Sequence, residues 1–162
     1  MKLTYLLLLL MITIISCKKP QPSNEEIEKA FREVNNEKLW KELEEMVDND
    51  QYYRNQKNSL NKDAKDYKIK RDSLENIRYL NDQANTKRIL EITEKYGFPN
   101  SNRTGKSIAP WILFHHSPVE YHEKIKPLIE REFNAKRMDS NTYRLLKWHV
   151  YGRIGHPDET EL

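Results

Sequence analysis

The stretch GFPNSNRTGKSIAPWILFHHS, residues 97–117, is the part of the chain around which the rest is organised. It holds two of the four glycines, two of the seven prolines and two of the five histidines, which are residues of turns and polar sites. A Gly-Phe-Pro turn and a polar loop lead into the apolar run Ile108–Phe114, which ends at His115-His116. A short helix that is apolar on nearly every side is usually buried. We therefore expect a buried helix over about 108–116, with Trp111 in the core.

The N-terminal residues 1–17 have the pattern of a bacterial lipoprotein signal peptide. Leu3–Ile15 is an apolar run of 13 residues, shorter than the roughly 20 that span a bilayer. It ends in Ile-Ile-Ser-Cys, which resembles the lipoprotein box, whose cysteine is lipidated and becomes the first mature residue. Cys17 is the only cysteine, so an intrachain disulfide is excluded. An ordinary secretory signal or an uncleaved membrane anchor is the alternative.

The location predicted from this signal peptide is the cell envelope. We expect the protein to be attached to the membrane through lipidated Cys17. Lys18-Lys19 come next, with no acidic stretch of the kind that resembles a surface-export signal, which favours the periplasmic face of the outer membrane.

Composition predicts an all-α protein. A third of the residues are charged and glycine is scarce. Loss of Lys2 with the signal peptide would leave a net charge of about +2, and this near-balance argues against nucleic acid as a partner. We expect one compact domain of about five helices over residues 24–157, after a tether at 18–23 and before a loose tail at 158–162.

Several helix ends can be predicted from local sequence. Ser23 and Glu26 have the spacing of a capping box, and Gly97 followed by Pro99 stops a long helix that begins near Ser73. Further helix caps are expected at Ser107, Ser117 and Asp139.

The long helix has two different faces. Leu74, Ile77, Leu80 and Ala84 recur at helical spacing and are expected to face the core. Asp82 and Asn85 share another face, and such poor helix formers usually lie on the solvent side of a helix.

Polar residues recur in a fixed order from Leu43 to about Pro157. They are Asp50, Gln51 and Arg54; Asp82 and Asn85; Gly97-Phe98-Pro99 and Gly105; Trp111 with His115-His116; and Tyr143 with Gly155-His156-Pro157. This order resembles a bacterial domain family of unknown function that occurs in lipoproteins and in soluble proteins. The resemblance implies no particular activity.

The chain departs from that pattern in three places. Pro118 stands where the family tends to have an Asp after the His, and Trp148-His149 stand where it has an Asp-Arg pair. A Tyr-Gly-Thr-Gln ending is also absent. If those residues complete a site, this chain has lost or rebuilt part of it.

One polar cavity beside the Trp111 helix is the site hypothesis. Its candidate residues are Asp50, Gln51, Arg54, Asp82, Asn85 and His116. An Asp can orient a His as a general base, and an Arg can hold an anionic group with two hydrogen bonds. The same residues can instead form a structural cluster of helix caps and ion pairs. We expect His116, rather than His115, to face this site, because adjacent helical positions lie about 100° apart.

Three classes of function remain open. One is a tethered binding domain for an envelope protein, a peptide or a glycan, and the missing Asp-Arg pair favours it over catalysis. A second is a hydrolase that uses His116 with Asp50 or Asp82. A third is a protective or inhibitory lipoprotein that blocks another protein. No cofactor and no metal are expected, because no two histidines have the i, i+4 spacing of a zinc helix and there is no second cysteine.

Overall fold

The computed structural model describes residues 21–34 and 36–157. These residues form seven α-helices and one short 3-10 helix, with no strand, which confirms the all-α fold in a single domain with more helices than expected. The predicted signal peptide, Cys17 and the tail 158–162 lie outside the described residues. The helices are α1 (Asn24–Glu33), α2 (Asn36–Asn58), α3 (Tyr67–Tyr96), α4 (Ser101–Thr104), α5 (Trp111–His115), α6 (His122–Asn134) and α7 (Ser140–Val150), with the 3-10 helix at Val119–Tyr121.

The two longest helices, α2 and α3, form an antiparallel pair. Lys57 bonds Glu75 at one end of the pair, with Nζ 2.7 Å from Oε1, and Arg88 bonds Glu42 near the other. Helix α1 packs on α3, whereas α5 packs against α2, α3 and α7, and α6 covers α7. Among the described helices, none has both the length and the apolar character needed to cross a bilayer.

The core lies where α5 meets the α2–α3 pair. Burial of each large aliphatic or aromatic side chain contributes roughly 1.5–3 kcal/mol relative to exposure. The side chains with almost no exposed surface come from the long helices, from α5 and from the loop after α3: Ile27, Leu43, Ile89, Ile92, Phe98, Leu113, Phe114, Ile125, Ile129 and Leu146.

Three of the expected helix ends are present. The Ser23 side chain accepts from the backbone N–H of Glu26, whose carboxylate accepts from the backbone N–H of Ser23. Asp139 accepts from the backbone N–H of Thr142. Gly97 ends α3 at a φ of 75°, a conformation that glycine adopts without strain. These signals act within three or four residues, which is why sequence reveals them.

The caps expected at Ser107 and Ser117 are wrong. Helix α5 begins at Trp111, after Pro110, with no side-chain cap. The 3-10 helix begins after Pro118, again without a side-chain cap, and α6 starts only at His122. Ser117 is buried, and its hydroxyl lies near His149 on α7 instead. Ser117 therefore makes a tertiary contact with His149 instead of capping a helix.

The expected orientation of the first half of α3 is also wrong, whereas Ile89 and Ile92 in its second half are buried. Ile77 and Leu80 are 38% and 56% exposed, whereas Asp82 and Asn85 are buried. The helix turns its polar face inward because α2 offers Arg54 as a partner there: Arg54 Nη2 donates to Asp82 Oδ1 at 2.7 Å. A charged partner across the interface therefore outweighs the apolar stripe.

Two further boundaries differ from expectation. The first predicted helix breaks into α1 and α2, because Val34 adopts an extended backbone with ψ of 147°. The long helix begins at Tyr67, six residues before the expected start at Ser73. In α5, Leu113 and Phe114 are buried as expected, but Trp111 is only partly buried at the edge of the core, so its placement in the core is wrong.

Candidate functional site

Asp50 is the centre of a group of polar side chains between α2, α3 and α5. It is 1% exposed, and an ionised carboxylate in that position must be paired. Gln51 Nε2 donates to its Oδ2 at 2.7 Å, and Arg54 Nε and Nη2 donate to its two oxygens at 3.2 Å. His116 Nδ1 lies 2.9 Å from Oδ2 and 3.0 Å from Oδ1. Three different side-chain types therefore hold one carboxylate.

Arg54 links this carboxylate to a second one. Its Nη2 bonds Asp82 on α3 at 2.7 Å as well as Asp50, which lies one turn before it on α2. Arg78 approaches Asp82 from one turn earlier on α3, with Nη1 3.6 Å from Oδ2. We call Asp50, Gln51, Arg54, Asp82 and His116 the Asp50 cluster.

The two aspartates respond differently to burial. Burial raises the pKa of Asp50, but the hydrogen bonds from His116 and Arg54 outweigh it and leave the pKa below its usual value. Burial also raises the pKa of Asp82, and the attraction of Arg54 and Arg78 does not compensate, partly because the Asp50 charge adds to the rise. Asp50 is thus the better anchored anion of the pair.

Hydrogen bonding to Asp50 sets the tautomer of His116. An ionised carboxylate only accepts, so Nδ1 carries a hydrogen towards it. Nε2 has no hydrogen-bond partner among the described residues, and the ring lines a surface cleft. Asp50 therefore holds the His116 ring in one orientation at the edge of the cleft.

The cleft beside His116 has a volume of about 300 Å³. Its lining contains no aliphatic or phenyl side chain among the described residues. We call it the basic cleft, and its lining residues are Arg54, Arg78, His115, His116, Ser117, His149 and Arg153.

His149 is a neutral member of the basic cleft. Arg153 Nε and Nη2 donate to its Nδ1 at 3.1 and 2.8 Å, and a guanidinium cannot accept a hydrogen in return. Nε2 therefore carries the hydrogen and points to Ser117 Oγ, 3.5 Å away. Burial, with a smaller contribution from the charge of Arg153, lowers the pKa of His149 to about 3. The ring is uncharged at neutral pH.

His115 packs between two other imidazoles. Its ring centre is 5.4 Å from that of His116 and 5.1 Å from that of His149. Burial lowers its pKa to about 4, and nearby positive charges on His116, Arg153 and Arg54 add to the effect. Its Nδ1 is buried with no hydrogen-bond partner among the described residues. Across residues 21–34 and 36–157, no group of three or more His, Cys, Asp or Glu side chains is arranged to hold a metal ion.

The structure brings together five of the six candidate residues from sequence and separates the sixth. Asn85 is buried one turn from Asp82, and its Nδ2 donates to the Met46 carbonyl at 3.3 Å, which ties α3 to α2. Of the six candidates, only Arg54 and His116 line the basic cleft, so the six do not share one cavity. His116 contacts Asp50 and lies beside Arg54 in the cleft lining, as expected, but His115 lines the same cleft, so the expectation that only one of the two histidines faces it is wrong.

Sequence reasoning missed several residues of the basic cleft. Arg78 was detectable in principle, because it lies four positions before Asp82 on one helix face. Ser117 was interpreted as a cap, and His149 only as a departure from the family pattern. Arg153 lies in a loop after α7, and no local signal marks it. It brings a guanidinium against Trp148 and His149, where the resemblance implies an Asp-Arg pair.

Comparison with known proteins identifies no relative of this chain. No family model, no curated protein and no solved structure matches the chain. The resemblance stated from the sequence therefore stays a prediction, and the case for function comes from the geometry of the Asp50 cluster and the basic cleft.

Proposed function

We propose that this protein is a lipid-anchored envelope protein whose helical domain binds a small ligand in the basic cleft. The observation that carries the proposal is the arrangement of His116. A carboxylate with 1% exposure fixes its Nδ1, while the ring borders an open cleft of about 300 Å³. Fixing a polar side chain in advance lowers the entropy cost of binding a ligand.

A screen by NMR tests this proposal. The ring signals of His116 are followed while organic anions, sugars, amines and short peptides are added. We expect at least one class to shift these signals in the wild type and to bind at least about tenfold more weakly, by calorimetric titration, to His116→Asn, whose amide can still donate to Asp50 from near the Nδ1 position. The matched control is His156→Asn, which changes an exposed histidine outside the cleft. Compounds that bind both variants equally, or no binding at all, would contradict the proposal.

The proposed attachment to the cell envelope rests on the sequence pattern at Cys17. A tether of residues 18–23 could reach roughly 20 Å when extended, at about 3.3–3.6 Å per residue, so the domain would stay close to the membrane. Mass spectrometry of the mature N-terminus and fractionation of Cys17→Ala test it. We expect acyl chains on Cys17 and an unprocessed variant. An unmodified Cys17 would remove the anchor from the proposal, but not the binding site.

A hydrolase is the second candidate function, and one contact favours it. Asp50 bonds Nδ1 of His116, and a histidine oriented in this way can accept a proton from water or a hydroxyl through Nε2. A chromogenic ester and a chromogenic phosphate monoester serve as probes. If the domain is a hydrolase, His116→Asn and Asp50→Asn should both abolish turnover, whereas His156→Asn should not. Binding without turnover in the wild type would leave the binding function alone.

A further inference from the structure

Three arginines reach the basic cleft from three different parts of the fold. Arg54 comes from α2, Arg78 from α3, and Arg153 from the loop after α7. They are separated in sequence by 24 and 75 residues, so no single helix face places them together. Convergence of guanidinium groups from separate elements indicates a surface shaped by the tertiary fold.

Arg153 is held in place by several contacts. Its backbone is left-handed, with φ of 59°, and its N–H donates to the Trp148 carbonyl at 2.8 Å. The guanidinium lies 5.7 Å from the Trp148 ring centre and donates to neutral His149. A non-glycine residue in this backbone region is uncommon and strained, so the surrounding contacts must offset the strain.

Among residues 21–34 and 36–157, the charges at the cleft do not balance. Arg54 and Arg78 face the carboxylates of Asp50 and Asp82. Arg153 adds a further positive charge, and no carboxylate of the described residues lies within 4.0 Å of its guanidinium. Glu75, which also pairs with Arg78, is balanced by Lys57 at 2.7 Å. The described residues therefore leave about one positive charge at the cleft.

The geometry points to a phosphate group as the ligand of the basic cleft. Guanidinium groups from three directions suit a tetrahedral oxyanion, which offers oxygens on several sides, better than a planar carboxylate with two. The all-polar lining and the volume of about 300 Å³ suit inorganic phosphate or a small phosphate monoester. His116 Nε2, which carries no hydrogen in the tautomer set by Asp50, can accept from the hydroxyl of a monoprotonated phosphate. This inference rests on the proposed ligand-binding function and names the ligand class for it.

Calorimetric titration at constant ionic strength tests the ligand class. The probes are inorganic phosphate, glycerol 3-phosphate and acetate, each added to the purified protein. We expect saturable binding of phosphate or of the monoester, with acetate at least about tenfold weaker, since charge-assisted hydrogen bonds are lost. Tighter binding of glycerol 3-phosphate would identify a phosphate monoester as the ligand. Tighter binding of inorganic phosphate would identify the free ion as the ligand. Acetate that binds as tightly as both would overturn the inference.

Variants with one charge removed locate the binding site. Arg153→Gln and Arg78→Gln should each weaken phosphate binding by about tenfold. Arg88→Gln is the matched control, because Arg88 lies on α3 and pairs with Glu42 and Glu91 away from the cleft. It should change affinity by less than about twofold. Equal weakening in all three variants would mean attraction to net charge only, and would overturn the inference.

Two further measurements keep the outcome clear. Arg153→Lys keeps the positive charge but loses the two-pronged donor, so its affinity for phosphate should lie between those of the wild type and Arg153→Gln. If Arg153→Gln folds too poorly to be measured, Arg153→Lys should still bind phosphate more weakly than the wild type. The His116 ring signals separate the two proposals. If other compounds shift these signals and phosphate compounds do not, the ligand class is wrong and the binding function stands. If nothing shifts them, both proposals fail.

Discussion

Glu132 and Asp50 are both buried carboxylates, yet their surroundings differ. Glu132 is fully buried and accepts from the Phe98 backbone N–H at 2.7 Å, from Arg131, and twice from Arg137. Arg137 is buried too. We call Glu28, Arg103, Glu132 and Arg137 the Glu132 cluster.

The Glu132 cluster joins distant parts of the chain around a buried pair, Glu132 and Arg137. Arg137 continues to Asn24 on α1 at 3.1 Å, and Arg103 bonds Glu28 at 3.0 Å and the Tyr96 carbonyl at 2.8 Å. The outer member of the Glu132 cluster, Glu28, is 40% exposed and borders a cleft, just as His116 and Arg54 of the Asp50 cluster border the basic cleft. The two clefts differ in their charges: both acidic and basic side chains line the cleft at Glu28, whereas three arginines and no carboxylate line the basic cleft.

Removal of Glu132 should have the largest effect on stability. Glu132→Ala leaves Arg137 buried without its main partner, and breaking a buried ion pair in this way costs about 3–5 kcal/mol. Urea denaturation measures the free energy of unfolding. Exposed Glu94→Ala on α3 is the control and should change it by less than about 0.5 kcal/mol. A loss below about 1 kcal/mol for Glu132→Ala would mean that the Glu132 cluster does not hold the fold.

Gly97 tests the same cluster through the backbone. A Cβ there would lie 2.5 Å from Arg103 Nη1 and 2.7 Å from Arg137 Cδ, at a φ of 75°. Gly97→Ala should therefore cost about 2–3 kcal/mol from backbone strain and displaced arginines. Gly105→Ala is the control for positive φ without crowding: its φ is 65° and no atom lies within 4 Å of the new Cβ, but its ψ of 12° lies in the left-handed helical region, where a side chain is less strained than at the ψ of 168° of Gly97. It should cost about 1 kcal/mol by the same denaturation assay. Equal losses would exclude crowding as the cause.

The pH dependence of stability tests the basic cleft beside the Asp50 cluster, through His149. The folded pKa of His149 is about 3, below its usual value of 6.5, so below pH 6.5 the unfolded chain gains a proton that the folded chain refuses. Stability therefore falls as pH decreases towards 3. His149→Gln cannot titrate and should lose about 2 kcal/mol less than wild type between pH 6.5 and 4.5.

Unfolding measured at several pH values checks this prediction for His149. His156→Gln should keep the wild-type pH dependence, because it leaves the buried imidazole unchanged. A His149→Gln profile parallel to that of wild type would mean that the ring is not held neutral in the folded protein.

The smallest effect is expected at His116. His116→Ala removes one partner of a buried carboxylate and should cost about 1–2 kcal/mol. His116→Asn retains a donor near the Nδ1 position and should cost roughly half as much. Thermal and urea denaturation of the two variants measure the difference. If both variants are as stable as wild type, Asp50 does not depend on His116, and the cluster is looser than its distances indicate.

Local sequence was sufficient for the helix signals that involve neighbouring residues. The capping box at Ser23, the glycine stop at Gly97 and the cap at Asp139 each depend on groups within four positions. The Asp50-Gln51-Arg54 spacing likewise lies on one helix turn, so its internal hydrogen bonds could be anticipated. Composition indicated the all-α class because it sums helix preference over the whole chain.

The Glu132 cluster could not be recognised in the same way. Glu132 lies in a charged segment, Glu130–Glu132, where a solvent-exposed position is the ordinary expectation. Its burial depends on Arg137 and on the loop at Phe98, 34 residues earlier. An isolated window of sequence contains neither the desolvation cost nor the partner that offsets it.

From the amino-acid sequence alone, helical class, several helix ends and most members of the Asp50 cluster could be predicted. The tertiary structure decided which face of α3 turns inward, that Ser117 meets His149 instead of capping a helix, and that Arg153 completes the basic cleft. The physical reason is distance along the chain. Helix propensity and capping act over a few residues, whereas Arg54 and Asp82 are 28 positions apart, and pairing of such groups outweighs local preference once packing removes water.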